Sequence, residues 1–160
     1  MRLLLIAVGR LKTGPEGDLY ERYAKRLTEI ARTVGVGGLE FREIEEGRAR
    51  RPEQRQRQEA TAVEAAIPAG AKLVLCDERG KALTSLQFAS DLGAARDRGA
   101  PAYALIIGGP DGFDPALRNR AEMLIAFGAM TWPHQLVRIM AAEQLYRALT
   151  LLAGHPYHRR

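Results

Sequence analysis

Residues 103–134 read YALIIGGPDGFDPALRNRAEMLIAFGAMTWPH and contain two apolar runs, each of which ends directly in a turn. The first turn, residues 108–112, holds three glycines and one proline, so its backbone can reach positive φ angles and come close to a bound molecule. The second turn, residues 128–134, opens the last predicted helix. We expect the two turns to build one ligand pocket.

The rest of the chain alternates between short apolar runs and stretches with helical spacing. The apolar runs predict five strands, at residues 1–9, 39–44, 72–76, 103–107 and 123–127. Capping and proline signals predict a helix that begins at the cap Asp18, further helices at residues 52–67, 84–98, 114–120 and 133–153, and a polar turn at residues 77–81. Strands that alternate with helices form βαβ units. The predicted fold class is therefore α/β, a single domain over residues 1–160 with a mostly parallel sheet and helices on both faces.

The predicted strands place three segments at one edge of the sheet. Residues 76–77, 108–112 and 128–132 each follow a buried strand directly. Parallel strands bring their carboxyl ends to the same edge, and α/β proteins bind ligands there. Residues 108–112 match neither the dinucleotide-binding G-x-G-x-x-G pattern nor a P-loop. The sequence therefore predicts a small-molecule pocket without naming its ligand.

The chain carries 24 basic and 19 acidic side chains, a net charge of +5 and a pI near 9.7. This surplus favours polyanionic partners, although a compositional bias of the genome towards arginine predicts the same numbers. Five arginines fall within residues 48–57, which is typical either of an RNA-phosphate patch or of the solvated face of a helix. No apolar run approaches the roughly 20 residues that span a bilayer. The first residues show no export signal, so we expect no membrane partner and a cytoplasmic location.

Side chains that bind metals or act as nucleophiles are few. Cys76 is the only cysteine and lies in an apolar run, which excludes an internal disulfide and favours a buried small hydrophobe. The histidines, His134, His155 and His158, lack the spacing on a rigid element that a zinc site requires, so we expect no metal site. Residues 155–160 are typical either of a disordered tail or of a segment that stacks on a base and contacts phosphate.

Four motifs occur in order along the chain: IGGPDG at residues 107–112, TWPHQLVR at 131–138, EQLYRA at 143–148 and HPYHR at 155–159. Together with the apolar run at 3–9, they resemble the bacterial ribosomal RNA large-subunit methyltransferase H family of the SPOUT superfamily. The resemblance implies a SPOUT-type α/β fold with a C-terminal trefoil knot, and a homodimer in which one subunit's tail reaches the other's cofactor. It also implies S-adenosyl-L-methionine as methyl donor and methylation of N3 of a pseudouridine in helix 69 of 23S ribosomal RNA.

The resemblance also implies the residues of a site. The methyl donor would be bound by Cys76, Gly108, Gly109, Phe127, Gly128, Ala129, Met130, Thr131 and Trp132. The substrate base would meet polar residues of the last helix and the tail, namely Glu143, Arg147, Tyr157, His158 and Arg159, with His158 or Glu143 as proton acceptor. The spacing of Glu143 and Arg147, four residues apart on a helix, predicts an exposed ion pair that contributes about 0.3 to 0.5 kcal/mol to stability.

Two other functions are compatible with these residues. A non-catalytic factor that binds ribosomal RNA or the ribosome would use the arginines of residues 48–57 and the tail, and would keep the pocket as a remnant of the fold. A nucleotide-binding α/β enzyme of another class would hold a phosphate at residues 108–112. Binding of S-adenosylmethionine distinguishes the methyltransferase from both.

Overall fold

The computed structural model describes residues 1–157, which form a parallel sheet covered by helices. Along the chain the elements are β1 (Arg2–Val8), α1 (Pro15–Ala31), a 3-10 turn (Arg32–Val34), β2 (Leu39–Ile44), α2 (Pro52–Ala66), β3 (Lys72–Ala82), α3 (Ser85–Asp97), β4 (Ala102–Ile107), α4 (Pro115–Arg120), β5 (Met123–Ala126) and α5 (His134–Leu152). The strand order is β2-β1-β4-β3-β5, and every neighbouring pair is parallel. The predicted α/β class is confirmed.

Apolar side chains fill both faces of the sheet, because successive residues of a strand point to opposite faces. Leu3 and Leu5 pack with residues of α1, α3 and α5, whereas Leu4 and Ile6 pack with residues of α2 and α4. All four side chains are 1% exposed or less. Helices therefore cover both faces, as predicted, and the carboxyl edge of the sheet is left for the connecting loops.

The start of α1 differs from the prediction. The helix begins at Pro15, with Gly14 as its N-cap residue, rather than at a cap formed by Asp18. Gly14 has a φ of 148°, which favours glycine, and proline suits the first helical turn because an N–H there has no helical partner. Asp18 therefore lies inside the first turn, where its negative charge is favourable near the helix N-terminus.

Strand β3 runs further than predicted. Residues 77–81 do not form a polar turn, because the strand continues to Ala82. Cys76 and Lys81 both pair with Ile125 of β5, so the residues between them bulge out of the ladder. A side chain at Gly80 would overlap the backbone of Ile125, so glycine is needed for this close approach. A polar bulge and a polar turn have the same composition, and local sequence does not distinguish them.

Two further expectations concern the chain as a whole. Within residues 1–157, no helix is both long enough and apolar enough to cross a bilayer. The C-terminal trefoil knot stays a prediction from the resemblance, since strand order alone does not establish how the chain threads.

A matched pair of tyrosines tests the packing of the core. The buried Tyr103 hydroxyl donates to Asp91 Oδ2 at 2.9 Å, and Lys72 Nζ lies 2.5 Å from Asp91 Oδ1. The buried Tyr20 hydroxyl has no hydrogen-bond partner among the described residues. We expect Tyr103→Phe to lower the free energy of unfolding by about 1.5 to 3 kcal/mol, because it removes a hydrogen bond to a charged group. Tyr20→Phe is expected to be neutral or stabilising.

Urea denaturation of the two variants and the wild type measures both effects. A loss of stability in Tyr20→Phe equal to that in Tyr103→Phe would show that the Asp91 hydrogen bond makes no separate contribution.

Candidate active site

A cavity of about 310 Å³ opens at the carboxyl edge of the sheet. Its walls come from the bulge within β3, from the segments that follow β4 and β5, from Arg118 of α4 and from the start of α5. The predicted convergence of three segments is confirmed, although residues 76–77 lie within β3 rather than after it. Eight residues implied by the resemblance to bind the methyl donor line it: Cys76, Gly108, Gly109, Phe127, Gly128, Met130, Thr131 and Trp132. Ala129 is absent from the lining formed by residues 1–157. Donor binding by these residues stays a prediction.

The turn after β4 is shaped by packing. A side chain on the buried Gly108 would press against the Phe113 ring at 3.1 Å, and one on the buried Gly109 would lie 2.9 Å from a carboxylate oxygen of Glu59. The sequence predicts that these glycines admit a ligand, whereas the structure gives each of them a packing reason. Gly112 has a φ of 78°, and its N–H donates to the Gly109 carbonyl at 3.0 Å, which closes the turn.

Two side chains of α2 hold this turn in place. Arg55 forms a two-pronged ion pair with Asp111, with Nε 2.6 Å from Oδ2 and Nη2 2.9 Å from Oδ1. Gln56 Nε2 donates to the Asp111 backbone carbonyl at 2.6 Å. The hydrogen-bonded Arg55 guanidinium lowers the pKa of the Asp111 carboxyl, so the pair stays charged at neutral pH. The cavity turn is therefore preorganised by a helix that does not itself line the cavity.

A second ion pair lies in the cavity wall. The Asp77 carboxylate is only 4% exposed; its Oδ2 accepts from Arg118 Nε at 2.9 Å and from Arg118 Nη2 at 2.7 Å. Its other oxygen accepts from the Arg79 backbone N–H at 2.9 Å. A buried carboxylate requires such partners, because leaving it unpaired is costly. The pair fixes a guanidinium at the cavity surface, where it can face a polar part of a ligand.

Large apolar side chains are exposed at the mouth of the cavity. Met130 is 74% exposed and Trp132 is 40% exposed. Trp132 Nε1 donates to the Phe127 carbonyl at 3.1 Å, which closes the loop between them. Gly128 in this loop has a φ of 103°, which favours glycine. An exposed apolar rim around a concave site is typical of a surface that a ligand covers.

The predicted substrate residues of α5 form a cluster outside the cavity of their own chain. Arg147 Nε donates to Glu143 Oε1 at 2.9 Å, and the Tyr157 hydroxyl donates to the same oxygen at 3.3 Å. The Arg147 guanidinium carbon lies 4.9 Å from the centre of the Tyr157 ring. The prediction of an exposed ion pair is wrong: Tyr157 covers the pair, and Glu143 is only 15% exposed. These three residues are not part of the cavity lining described above.

Tyr157 is fixed on α5 by a second aromatic ring. Its ring centre lies 4.7 Å from that of Tyr146, in an edge-to-face arrangement. Burial, followed by the charge of Glu143, raises the pKa of Tyr157 to about 12, so its hydroxyl stays protonated at neutral pH. Tyr157 is therefore a hydrogen-bond donor to Glu143 rather than a base. His158 and Arg159, the other two predicted substrate residues, lie outside the described residues.

Known proteins resemble this chain over its whole length. Residues 1–158 match the family model for a predicted SPOUT methyltransferase. The chain is 53% identical over 159 residues to the ribosomal RNA large subunit methyltransferase H of Rhodopseudomonas palustris (strain HaA2), covering 99% of each chain. The chain belongs to the ribosomal RNA large subunit methyltransferase H family. Another member of this SPOUT family, from Nitrobacter winogradskyi, is 54% identical over 159 residues and is also covered to 99%.

Solved structures also align with most of the chain length. A probable methyltransferase from Bordetella pertussis Tohama I aligns over 92% of this chain and 95% of its own, with 16% sequence identity and a TM-score of 0.49.

Cys76 forms part of the cavity wall in this SPOUT methyltransferase. It lies at the cavity surface and packs against the core. Burial raises the pKa of its thiol, so the thiol stays protonated at neutral pH and is a poor nucleophile. The predicted role as a small hydrophobe agrees with this environment.

Sequence reasoning missed the two ion pairs that shape the methyltransferase cavity. Arg55 and Asp111 are 56 positions apart, and Asp77 and Arg118 are 41 positions apart. Helical and strand periodicities relate residues within one element, so they hold no signal for these partners. A weaker signal was available, because Asp77 and Asp111 both come after apolar runs that predict buried strands, which places their carboxylates at the predicted ligand edge.

Proposed function

We propose that this protein uses S-adenosyl-L-methionine to methylate ribosomal RNA of the large subunit, at N3 of a pseudouridine in helix 69 of 23S ribosomal RNA. Membership of the SPOUT methyltransferases and relatives that carry the ribosomal RNA name support the reaction class. The observation that carries the proposal is the cavity formed where the β3, β4 and β5 segments meet. Action on ribosomal RNA places the protein in the bacterial cytoplasm.

The cavity fits the methyl donor in size and chemistry. Its volume of about 310 Å³ lies within the range of roughly 300 to 1,000 Å³ for small-molecule sites. Ile107, Phe127 and Val137 give it apolar walls, and Trp132 offers an aromatic face for the adenine ring. The paired Arg118 guanidinium supplies a polar wall for the ribose or the amino-acid part. When bound, S-adenosylmethionine supplies an electrophilic methyl group.

The residues of the chain must position the acceptor base and take up its proton. The N3–H of pseudouridine is a weak acid, and methyl transfer requires the proton to leave and the nitrogen to lie in line with the methyl group. Glu143 Oε1 accepts hydrogen bonds from Arg147 and Tyr157, and its Oε2 accepts one from Gln144 at 2.7 Å. This arrangement suits a carboxylate that positions Arg147 and Tyr157. We therefore assign proton acceptance to His158 and substrate contact to Arg147 and Arg159.

A homodimer completes the proposed site. The Glu143–Arg147–Tyr157 cluster lies outside the cavity of its own chain, whereas the reaction needs polar groups beside the methyl donor. A second copy of the chain would bring its cluster and its tail to that cavity. Met130 is an exposed apolar side chain that lines the cavity, and Leu136 is another exposed apolar side chain, in the first turn of α5; both suit such a contact.

Fluorescence of Trp132 tests donor binding directly, because it is the only tryptophan and stands at the cavity mouth. We expect S-adenosylmethionine to change its emission saturably, because the ligand covers the exposed ring, while ATP at the same concentration leaves the emission unchanged. Calorimetry of the same titration supplies an independent readout. No emission change together with no heat would contradict the assignment of the cavity.

A pair of aspartate variants tests whether S-adenosylmethionine binds in the cavity. Asp111→Ala removes the Arg55 clamp on the cavity turn, so we expect the Kd for S-adenosylmethionine to rise about tenfold, which corresponds to about 1.4 kcal/mol. Asp97→Ala is the control, because Asp97 also pairs with a neighbouring arginine, Arg96, but does not line the cavity. Equal affinities of the two variants would show that the clamp does not shape the donor site.

A further inference from the structure

The arginines of residues 48–57 are divided between two roles by the fold. Arg55 points inward and clamps Asp111, and Arg48 Nη2 lies 3.2 Å from a carboxylate oxygen of Glu45. The remaining three are exposed, and within residues 1–157 none of them forms an ion pair: Arg50, Arg51 and Arg57. The sequence predicts either a solvated helix face or an RNA patch, and this division shows which arginines are available to a partner.

The loop that carries Arg50 is held rigidly against the first turns of α2. The buried carboxylate of Glu59 accepts from the Gly47 N–H at 2.9 Å, and Gln58 Oε1 accepts from the Arg48 N–H at 3.0 Å. Arg55 Nη1 donates to the carbonyls of Ala49 at 3.0 Å and Arg50 at 3.1 Å.

Gly47 allows this close packing. A side chain at Gly47 would lie 2.6 Å from the Arg55 Cα atom, so the loop could not approach the helix with any other residue. If the arginines of this loop served only to keep the protein in solution, an ordered loop would bring no benefit. A binding surface, in contrast, loses less conformational entropy on binding when its loop is already ordered. The exposed arginines are thus presented on a preorganised segment.

This segment borders the cavity. It follows the carboxyl end of β2, at the same edge of the sheet as the cavity loops. Arg55 contacts both sides at once, through the Ala49 and Arg50 carbonyls on one side and the Asp111 carboxylate on the other. One side chain therefore ties the exposed arginine segment to the turn that lines the cavity.

We propose that Arg50, Arg51 and Arg57 form a phosphate-contacting surface that docks the sugar–phosphate backbone of the RNA substrate beside the cavity, an inference that rests on the proposed function. Arginine matches phosphate geometry with two parallel hydrogen bonds, and among residues 1–157 these arginines have no carboxylate partner to release first. Phosphate contacts fix the register of a nucleic acid without reading its bases. Arg55 is a positioning residue, because it orders the surface and the cavity turn together.

The test compares two double variants with the same change of charge. Arg50→Ala/Arg51→Ala alters the proposed surface. Arg32→Ala/Arg98→Ala removes two exposed arginines that also lack an ion pair among the described residues but lie at the amino edge of the sheet. The full-length proteins are assayed on purified large ribosomal subunits for KM, kcat, direct RNA binding and affinity for S-adenosylmethionine.

We expect the surface variant to raise KM at least about tenfold and to reduce the slope of log affinity against log salt by about 1 to 2, the value for two lost phosphate contacts. Its kcat and its affinity for S-adenosylmethionine should match those of the control. Equal KM values and equal salt slopes in the two variants would overturn the proposal.

Failure of the proposed function gives a different pattern. If the wild type binds S-adenosylmethionine but methylates no RNA, the reaction assignment fails, while direct binding of the subunits still measures the arginine surface. Weaker binding by the surface variant alone would then support the surface without the reaction.

Discussion

Removal of residues 158–160 is expected to lower the rate of RNA methylation about 100- to 10,000-fold, the range that a positioned proton-transfer group contributes. The affinity for S-adenosylmethionine should stay within about twofold of the wild-type value, because eight of the residues implied to bind the donor line the cavity. This truncation retains Tyr157, whose ring packs on Tyr146 and whose hydroxyl donates to Glu143. The packing at the end of α5 should therefore survive.

Two point variants separate the roles within this region. His158→Gln should reproduce most of the loss, because it removes the proposed proton acceptor. Tyr157→Phe keeps the aromatic packing and removes only the hydrogen bond to Glu143, so we expect a loss of no more than about tenfold. Wild-type turnover by the truncated protein would show that residues 158–160 take no part in catalysis.

Arg138→Ala is expected to lower the free energy of unfolding by about 3 kcal/mol, the low end of the range for breaking a buried ion pair. Arg138 is only 2% exposed; its Nη1 lies 3.1 Å from Glu43 Oε1, and its Nη2 donates to the Val8 carbonyl at 3.0 Å. It thereby ties α5 to the carboxyl ends of β1 and β2. We expect a value at the low end of that range because the Glu43 side chain is 33% exposed and can be hydrated when Arg138 is lost.

Arg147→Ala is the matched control for this stability measurement. Arg147 lies on the same helix and is also paired with a glutamate, but its side chain is 26% exposed. We expect its removal to cost less, because the Arg147 guanidinium is itself partly solvated, and because Tyr157 and Gln144 still donate hydrogen bonds to the Glu143 carboxylate when Arg147 is lost. Urea denaturation measures both variants. A loss in Arg138→Ala no larger than that in Arg147→Ala would contradict a structural role for the buried guanidinium.

The predictable parts of the fold are those that depend on residues close together in the sequence. Residues 103–107 are uniformly apolar, and the strand they form is buried on both faces. The side chain of Thr84 accepts from the Gln87 N–H, and that of Gln87 accepts from the Thr84 N–H, as the capping pattern predicts. Asp114 caps α4 in the same way, by accepting from the Ala116 N–H. In each case the signal and its consequence lie within a few residues.

The parts that were not predictable depend on contacts between distant residues. Arg55 reaches Asp111 across 56 positions, and Arg138 reaches the Val8 carbonyl across 130. Five arginines in one segment look equivalent in the sequence, yet the fold turns one of them inward and leaves others exposed. The same distinction between local and distant contacts holds for the candidate site. Its loops were predictable from strand ends, whereas the side chains that hold those loops were not.

We propose that this chain transfers a methyl group to ribosomal RNA from a donor held at the carboxyl edge of its sheet. To test this transfer, the protein is incubated with isotopically labelled S-adenosylmethionine and large ribosomal subunits that lack the modification, and the labelled nucleotides are mapped by mass spectrometry. We predict one labelled methyl group per 23S ribosomal RNA, on N3 of a pseudouridine in helix 69. Absence of label from the RNA, in a preparation whose Trp132 emission reports bound S-adenosylmethionine, would show that the protein does not methylate this RNA.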